Sequence, residues 1–102
     1  MYSIRNLLDS EAKSFSDTSV LGTFIDNHDN PRFLYLNPSV TLLKSAVTYT
    51  LFGLGIPIIY YGTEQEFNGG NDPANREVLW TSMNTNSQMY NYIETLIKTR
   101  QA

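Results

Sequence analysis

The chain has 102 residues, seven basic and ten acidic side chains, and a net charge of −3, which leaves room for one small domain or a piece of a larger one. That balance lacks the clustered Lys and Arg of a nucleic-acid binder, and the absence of cysteine excludes a disulfide framework and a thiolate metal site. Charged residues make up 17% and aromatic residues 13%, which suits a segment covered on several sides or a surface that stacks on sugar rings.

The first stretch, Met1-Tyr2-Ser3-Ile4-Arg5, lacks the basic-then-apolar layout of a signal peptide. From Ser3 to Phe15, apolar residues at Ile4, Leu7, Leu8, Ala12 and Phe15 recur at spacings of three and four, which predicts an amphipathic helix. Val20 to Ile25 reads as a strand, apolar on both faces except at Thr23. A long loop rich in Asn and Asp follows, from Asp26 to Asn37. Asn37 is placed to cap a helix with Pro38 as its first residue.

That helix runs to about Phe52, with Val40, Leu43, Val47 and Leu51 as a stripe that Leu42, Ala46 and Tyr49 broaden. Lys44 is its only charge, which predicts a largely covered helix. Gly53 and Gly55 stop it, so the uncharged run from Ser45 to Thr63 divides into a helix and a strand. No stretch reaches the roughly 20 apolar residues that span a membrane. Ile56 to Tyr61 is the second strand, with Pro57, which has no N–H to donate, near its start. Gly62 to Asn75 is a second long loop, Arg76 to Thr81 has room for a helical turn, and Ser87 to Arg100 is a closing helix with Met89, Tyr92, Ile93, Leu96 and Ile97 on one face. The order helix, strand, helix, strand, helix predicts an α/β unit with parallel strands. Both long polar loops leave the carboxyl ends of strands, where a (β/α)₈ barrel carries its site.

Three groups could carry chemistry. Asp26, His28 and Asp29 gather at the first strand's end, where such residues stabilise a developing cation, bind sugar hydroxyls or ligate a metal; the competing reading is a solvated Asn/Asp turn. His28 is the only histidine, so the chain holds no multi-histidine metal site. Asp72 and Arg76, four apart across a Pro-led turn, are spaced to face the same way and grip vicinal hydroxyls, or to form a plain surface ion pair. Glu64 and Glu66 are weak signals. Gly69-Gly70 is no phosphate loop, because no Lys-Ser/Thr follows. Tyr60 and Tyr61 could stack on sugars, or serve as core on one face and rim on the other.

Phe24–Phe33 (FIDNHDNPRF), Gly55–Glu66 (GIPIIYYGTEQE) and Gly69–Trp80 (GGNDPANREVLW) together resemble the α-amylase family of glycoside hydrolases, in its fungal-type secreted branch, over nearly the whole chain. The resemblance implies a partial TIM (β/α)₈ barrel, with residues 1–102 running from its sixth helix to its eighth. It implies that Asp29 binds the 2- and 3-hydroxyls of the sugar being cleaved, with His28 beside it, and that Asp72 and Arg76 hold the neighbouring glucose. The parent enzyme would be a retaining, endo-acting α-1,4-glucan (starch or glycogen) hydrolase. It would be extracellular, with a structural calcium whose ligands lie outside this chain.

The partners implied are an α-1,4-linked glucan or malto-oligosaccharide and the remainder of the barrel, with no nucleic acid and no membrane. Retaining glycosidases need a nucleophile and an acid/base carboxylate about 5 Å apart. The family takes these from its fourth and fifth strands, and neither motif is in this sequence. The expectation is therefore a chain inactive alone. The alternative is a non-catalytic truncated product that binds oligosaccharide weakly or associates with barrel pieces.

Overall fold

The computed structural model describes residues 2–102; Met1, which opens the stretch read above for a leader, lies outside them. Helix α1 spans Tyr2–Ser14. Its expected apolar face forms but is not covered: Ile4, Leu7, Leu8 and Phe15 are all exposed. Asp17 then caps a 3₁₀ turn at Thr18–Val20, accepting from the Ser19 amide at 3.0 Å. None of the described helices is long and apolar enough to cross a membrane.

Strands β1 (Gly22–Thr23) and β2 (Ile56–Pro57) pair in parallel, with Gly22 opposite Ile56 and Thr23 opposite Pro57. The amide of Ile56 donates to Leu21 O at 2.8 Å and that of Ile58 to Thr23 O at 2.7 Å, so the bonds bracket Pro57, which has none to give. The paired segments are two residues each, shorter than the Val20–Ile25 and Ile56–Tyr61 strands expected. Each strand has one neighbour among the described residues, and ladder bonds stop where that neighbour diverges. Gly55 makes the entry to β2 possible: its φ is +118°, and a Cβ there would lie 2.6 Å from Leu21 O.

The first long loop is not wholly irregular. Phe33–Leu36 forms a single helical turn, α2, because Asp26 Oδ1 accepts from the Phe33 amide at 2.7 Å while Leu34 enters the core. Helix α3 spans Val40–Phe52 and is capped by Ser39, whose hydroxyl accepts from the Leu42 amide, not by Asn37 as its sequence position suggests. Asn37 instead accepts from the Ser39 amide, setting up the cap one step earlier. Helix α4 spans Gln88–Gln101, with Ser87 as its cap.

The core lies between α3 and α4. Leu43, Val47 and Leu51 from α3 meet Met89 and Ile93 from α4, with Leu34 closing one end and Ile25 and Ile59 packed from the strand side. The Thr48 and Tyr92 hydroxyls bond across the helix pair at 2.7 Å, and the Arg100 guanidinium caps Leu51 O at the end of α3. Coverage of α3 is one-sided: Leu42, Tyr49 and Phe52, expected to be largely buried, are exposed. Leu43→Ala is expected to lower the unfolding free energy by about 2–4 kcal/mol in urea denaturation, since it empties a packed site. Leu36→Ala, at a side chain 71% exposed, is expected to change it by less than about 0.5 kcal/mol.

Candidate functional site

Beyond the carboxyl ends of β1 and β2, the two long loops fold onto each other. Asn27 builds the first turn: its Oδ1 accepts from the amides of Asp29 at 3.2 Å and Asn30 at 3.0 Å and from the Asn30 side-chain amide at 3.1 Å. That side-chain bonding holds the backbone in a tight turn. His28 and Asp29 project from it, 62% and 69% exposed, with His28 Nε2 3.5 Å from Asp29 Oδ1.

The second loop brings Asp72 and Arg76 to the same place. Arg76 Nε lies 3.2 Å from Asp72 Oδ1, and its Nη2 donates to His28 O at 3.4 Å. The four residues to which the family resemblance gives roles therefore share one mouth. The Asp72–Arg76 pair is about half exposed, so it adds little to stability and leaves its donors and acceptors available to a ligand.

Asp26 does not belong with them. It is buried, accepting from the Phe33 amide and from Thr63 Oγ1 at 3.3 Å, with Arg32 Nη1 4.0 Å away. Burial pushes its carboxyl above the usual 3.8, and the bond from Phe33 and the charge of Arg32 only partly offset that. It is a hinge of the scaffold, not part of the exposed cluster.

Arg32, Asn75 and Glu77 drew no attention as sequence, yet they organise the site. Arg32 has no exposed surface; its Nε donates to Glu77 Oε1 at 2.7 Å and its Nη2 to Tyr61 O at 2.9 Å. Glu77 Oε2 accepts from the Gly69 amide at 2.8 Å, while Gly69 O accepts from the Arg32 amide at 3.0 Å. One ion pair thus ties the first loop to both ends of the second. Gly69 admits no side chain, because a Cβ would lie 1.9 Å from Ala74 O.

Tyr60 and Tyr61, weighed above for sugar stacking, instead flank the Arg32 guanidinium at 4.4 and 5.3 Å, with Phe67 at 5.3 Å. Their hydroxyls donate to Asn75 O at 3.1 Å and Glu77 O at 2.8 Å. A groove of about 300 Å³, lined by Phe24, His28, Ile58 and Tyr60 among others, opens beside the turn.

The described residues offer no cluster of three His, Asp or Glu side chains for a metal, and Asp26 has its oxygens engaged by Phe33 and Thr63.

Parallel strands joined through a helix deliver carboxylates, an imidazole and a guanidinium past their carboxyl ends, the end at which a parallel α/β unit carries its polar loops. The family model described as alpha amylase, catalytic domain, matches residues 1–102. Alpha-amylase 1 of Lipomyces kononenkoae is 46% identical over 99 residues, covering 96% of this chain and 16% of that one. Alpha-amylase 1 of Schwanniomyces occidentalis is 46% identical over 98 residues, covering 95% and 19%. The solved structure of an α-amylase from Malbranchea cinnamomea superposes with a TM-score of 0.95 at 37% identity, over 99% of this chain and 22% of that one. An α-amylase from Geobacillus thermoleovorans, complexed with acarbose, gives 0.80 at 34% identity, over 95% and 22%. The chain belongs to the α-amylase catalytic-domain family, and it spans less than a fifth of the length of those two curated relatives.

Two outcomes test this framework. Glu77→Gln leaves a buried guanidinium with only the more distant Asp26, 4.0 Å away, as counter-charge and is expected to lower the unfolding free energy by about 3 kcal/mol in urea denaturation. For Asp26, the folded state holds its proton more tightly than the unfolded chain, so this group's contribution falls as pH rises from the usual carboxylate value through the raised one. Asp26→Asn is expected to flatten the stability profile from the usual carboxylate value upward, read as the difference between the two proteins' denaturation midpoints.

Proposed function

We propose that this chain is the sixth-helix to eighth-helix portion of the (β/α)₈ barrel of a secreted, retaining, endo-acting α-1,4-glucan hydrolase. It supplies groups that bind the glucan and stabilise the transition state. One observation carries the reading: the His28 carbonyl accepts from both Asn75 and Arg76, which joins the two loops at one exposed mouth. Membership of the α-amylase family and the acarbose complex of the Geobacillus relative support a glucose oligomer as the substrate class.

Cleavage of a glycosidic bond builds positive charge on the anomeric carbon and ring oxygen. The Asp29 carboxylate, fixed by the Asn27 turn and open to solvent, opposes that charge and accepts from vicinal hydroxyls of the sugar being cleaved. His28 donates to the same hydroxyls. These bonds strengthen as the ring distorts, so they lower the barrier more than they tighten substrate binding. Asp72 and Arg76 present a fixed acceptor and a planar donor to the next glucose unit.

The nucleophile and the acid/base carboxylate come from other strands of the parent barrel, as does its calcium. The exposed apolar residues of α1 and of the strand segments, such as Ile4, Phe24, Ile56 and Ile58, are surfaces for the rest of the barrel to cover.

The test replaces the matching 22% of the Malbranchea cinnamomea α-amylase with residues 2–102 and measures starch cleavage. The chimera is expected to hydrolyse starch, and the 102-residue chain alone is not. Asp29→Asn in the chimera is expected to lower turnover by about 10²-fold or more with its melting temperature within about 2 °C. Near-normal turnover in that variant would show the role given to Asp29 to be wrong.

A further inference from the structure

Asn75 has no exposed surface although it sits in a polar loop beside a solvent-facing arginine. Its side-chain nitrogen lies 2.8 Å from Asn30 O, 3.0 Å from His28 O and 3.5 Å from Asn27 O. All three acceptors are backbone carbonyls of the turn that carries His28 and Asp29. Three carbonyls also fix which way the amide points, since only its NH₂ can face them. On its other side, Asn75 O accepts from the Tyr60 hydroxyl, so the residue is anchored to the chain leaving β2 while it grips the chain leaving β1.

The side-chain oxygen of Asn75 is buried and finds no donor among the described residues. An amide half-satisfied in a dry site costs stability, and local choices that cost stability concentrate where geometry serves a site. The alternatives at this position each fail differently. Asp would turn an anionic oxygen toward three carbonyls, Ala would remove the amide from all three and leave His28 O only its bond from Arg76, and Gln is one carbon too long for a site with no free surface.

We propose that Asn75 is a positioning residue: its amide fixes the His28–Asp29 turn relative to Arg76, so that transition-state groups and the substrate-holding guanidinium keep one spacing. This rests on the hydrolase reading above and adds a residue to it. Asn75 does not touch the substrate. It acts through the backbone of His28, and Arg76, the next residue in the chain, inherits its placement. A displacement of about 1 Å between reacting groups and substrate can cost as much as 10²-fold in rate.

The experiment measures kcat and KM for a defined malto-oligosaccharide in the same chimera, well below each variant's melting temperature. Asn75→Ala is expected to lower kcat by about 20-fold or more with KM within about twofold, because the misplaced groups act in the transition state. A purely structural role would lower the melting temperature and leave kcat of the folded enzyme unchanged. A double-mutant cycle with His28→Ala reads the route: the two losses should fall short of multiplying by threefold or more, and smaller coupling overturns the proposal.

If Asn75→Ala does not fold, Tyr60→Phe takes its place. It keeps the ring on Arg32 and removes only the bond to Asn75 O, with a kcat loss of about threefold expected at constant KM, and no loss overturning the proposal. Asp29→Asn in parallel separates the two ideas. If it keeps near-normal turnover, the hydrolase reading itself fails. If it abolishes turnover while Asn75→Ala leaves kcat within twofold, only the positioning role fails.

Discussion

A guanidinium with no exposed surface must be neutralised and hydrogen-bonded where it lies, and Arg32 finds its partners in both loops of the site. Glu77 balances its charge, Tyr61 O takes a second donor, and three aromatic rings fill the space around it. Glu77 in turn holds Gly69, and Gly69 holds the Arg32 backbone. The loop between Gly69 and Glu77 is therefore closed on itself and stapled to the β1 side. Asp72 and Arg76 lie within that closed loop, so their place beside His28 follows from an ion pair whose guanidinium is wholly buried. Ion pairs of this kind add little net stability, but removing one member is costly.

The site divides cleanly into a buried layer that sets distances and an exposed layer that meets the ligand. Asp26, Arg32 and Asn75 have little or no exposed surface and make most of the bonds between segments. His28, Asp29, Asp72 and Arg76 are about half exposed or more and make few. The division has a chemical logic. Groups that must bind hydroxyls need unspent donors and acceptors, while groups that hold the backbone spend most of theirs on it.

Much of this was legible in the sequence. The helix periods at Ile4–Phe15 and Met89–Ile97 gave the helices, the glycines and prolines marked the breaks, and the paired motifs pointed to one mouth for His28, Asp29, Asp72 and Arg76. What escaped was everything that depends on a partner distant in sequence. Arg32 reads as a surface cation until Glu77 and the two tyrosines surround it. Asp26 reads as one more acid of the DNHD run until α2 uses it as a cap. Asn37 before Pro38 suits an N-cap, yet the backbone places Ser39 there. Strand length and the covering of α1 and α3 were overread for a related cause: hydrophobic periodicity says which face wants burial, not what is there to bury it.

That last mismatch has a bearing on how this chain behaves outside a larger body. Among the described residues, large apolar side chains left in contact with water outnumber those in the α3–α4 core, and α1 carries a whole face of them. With its helix–helix core on one side and its site loops on the other, the chain holds two well-bonded regions joined by a two-residue ladder. Left alone in a cell, α1 would be the segment that chaperones and proteases meet first, and the clasp around Arg32 the part that outlasts it.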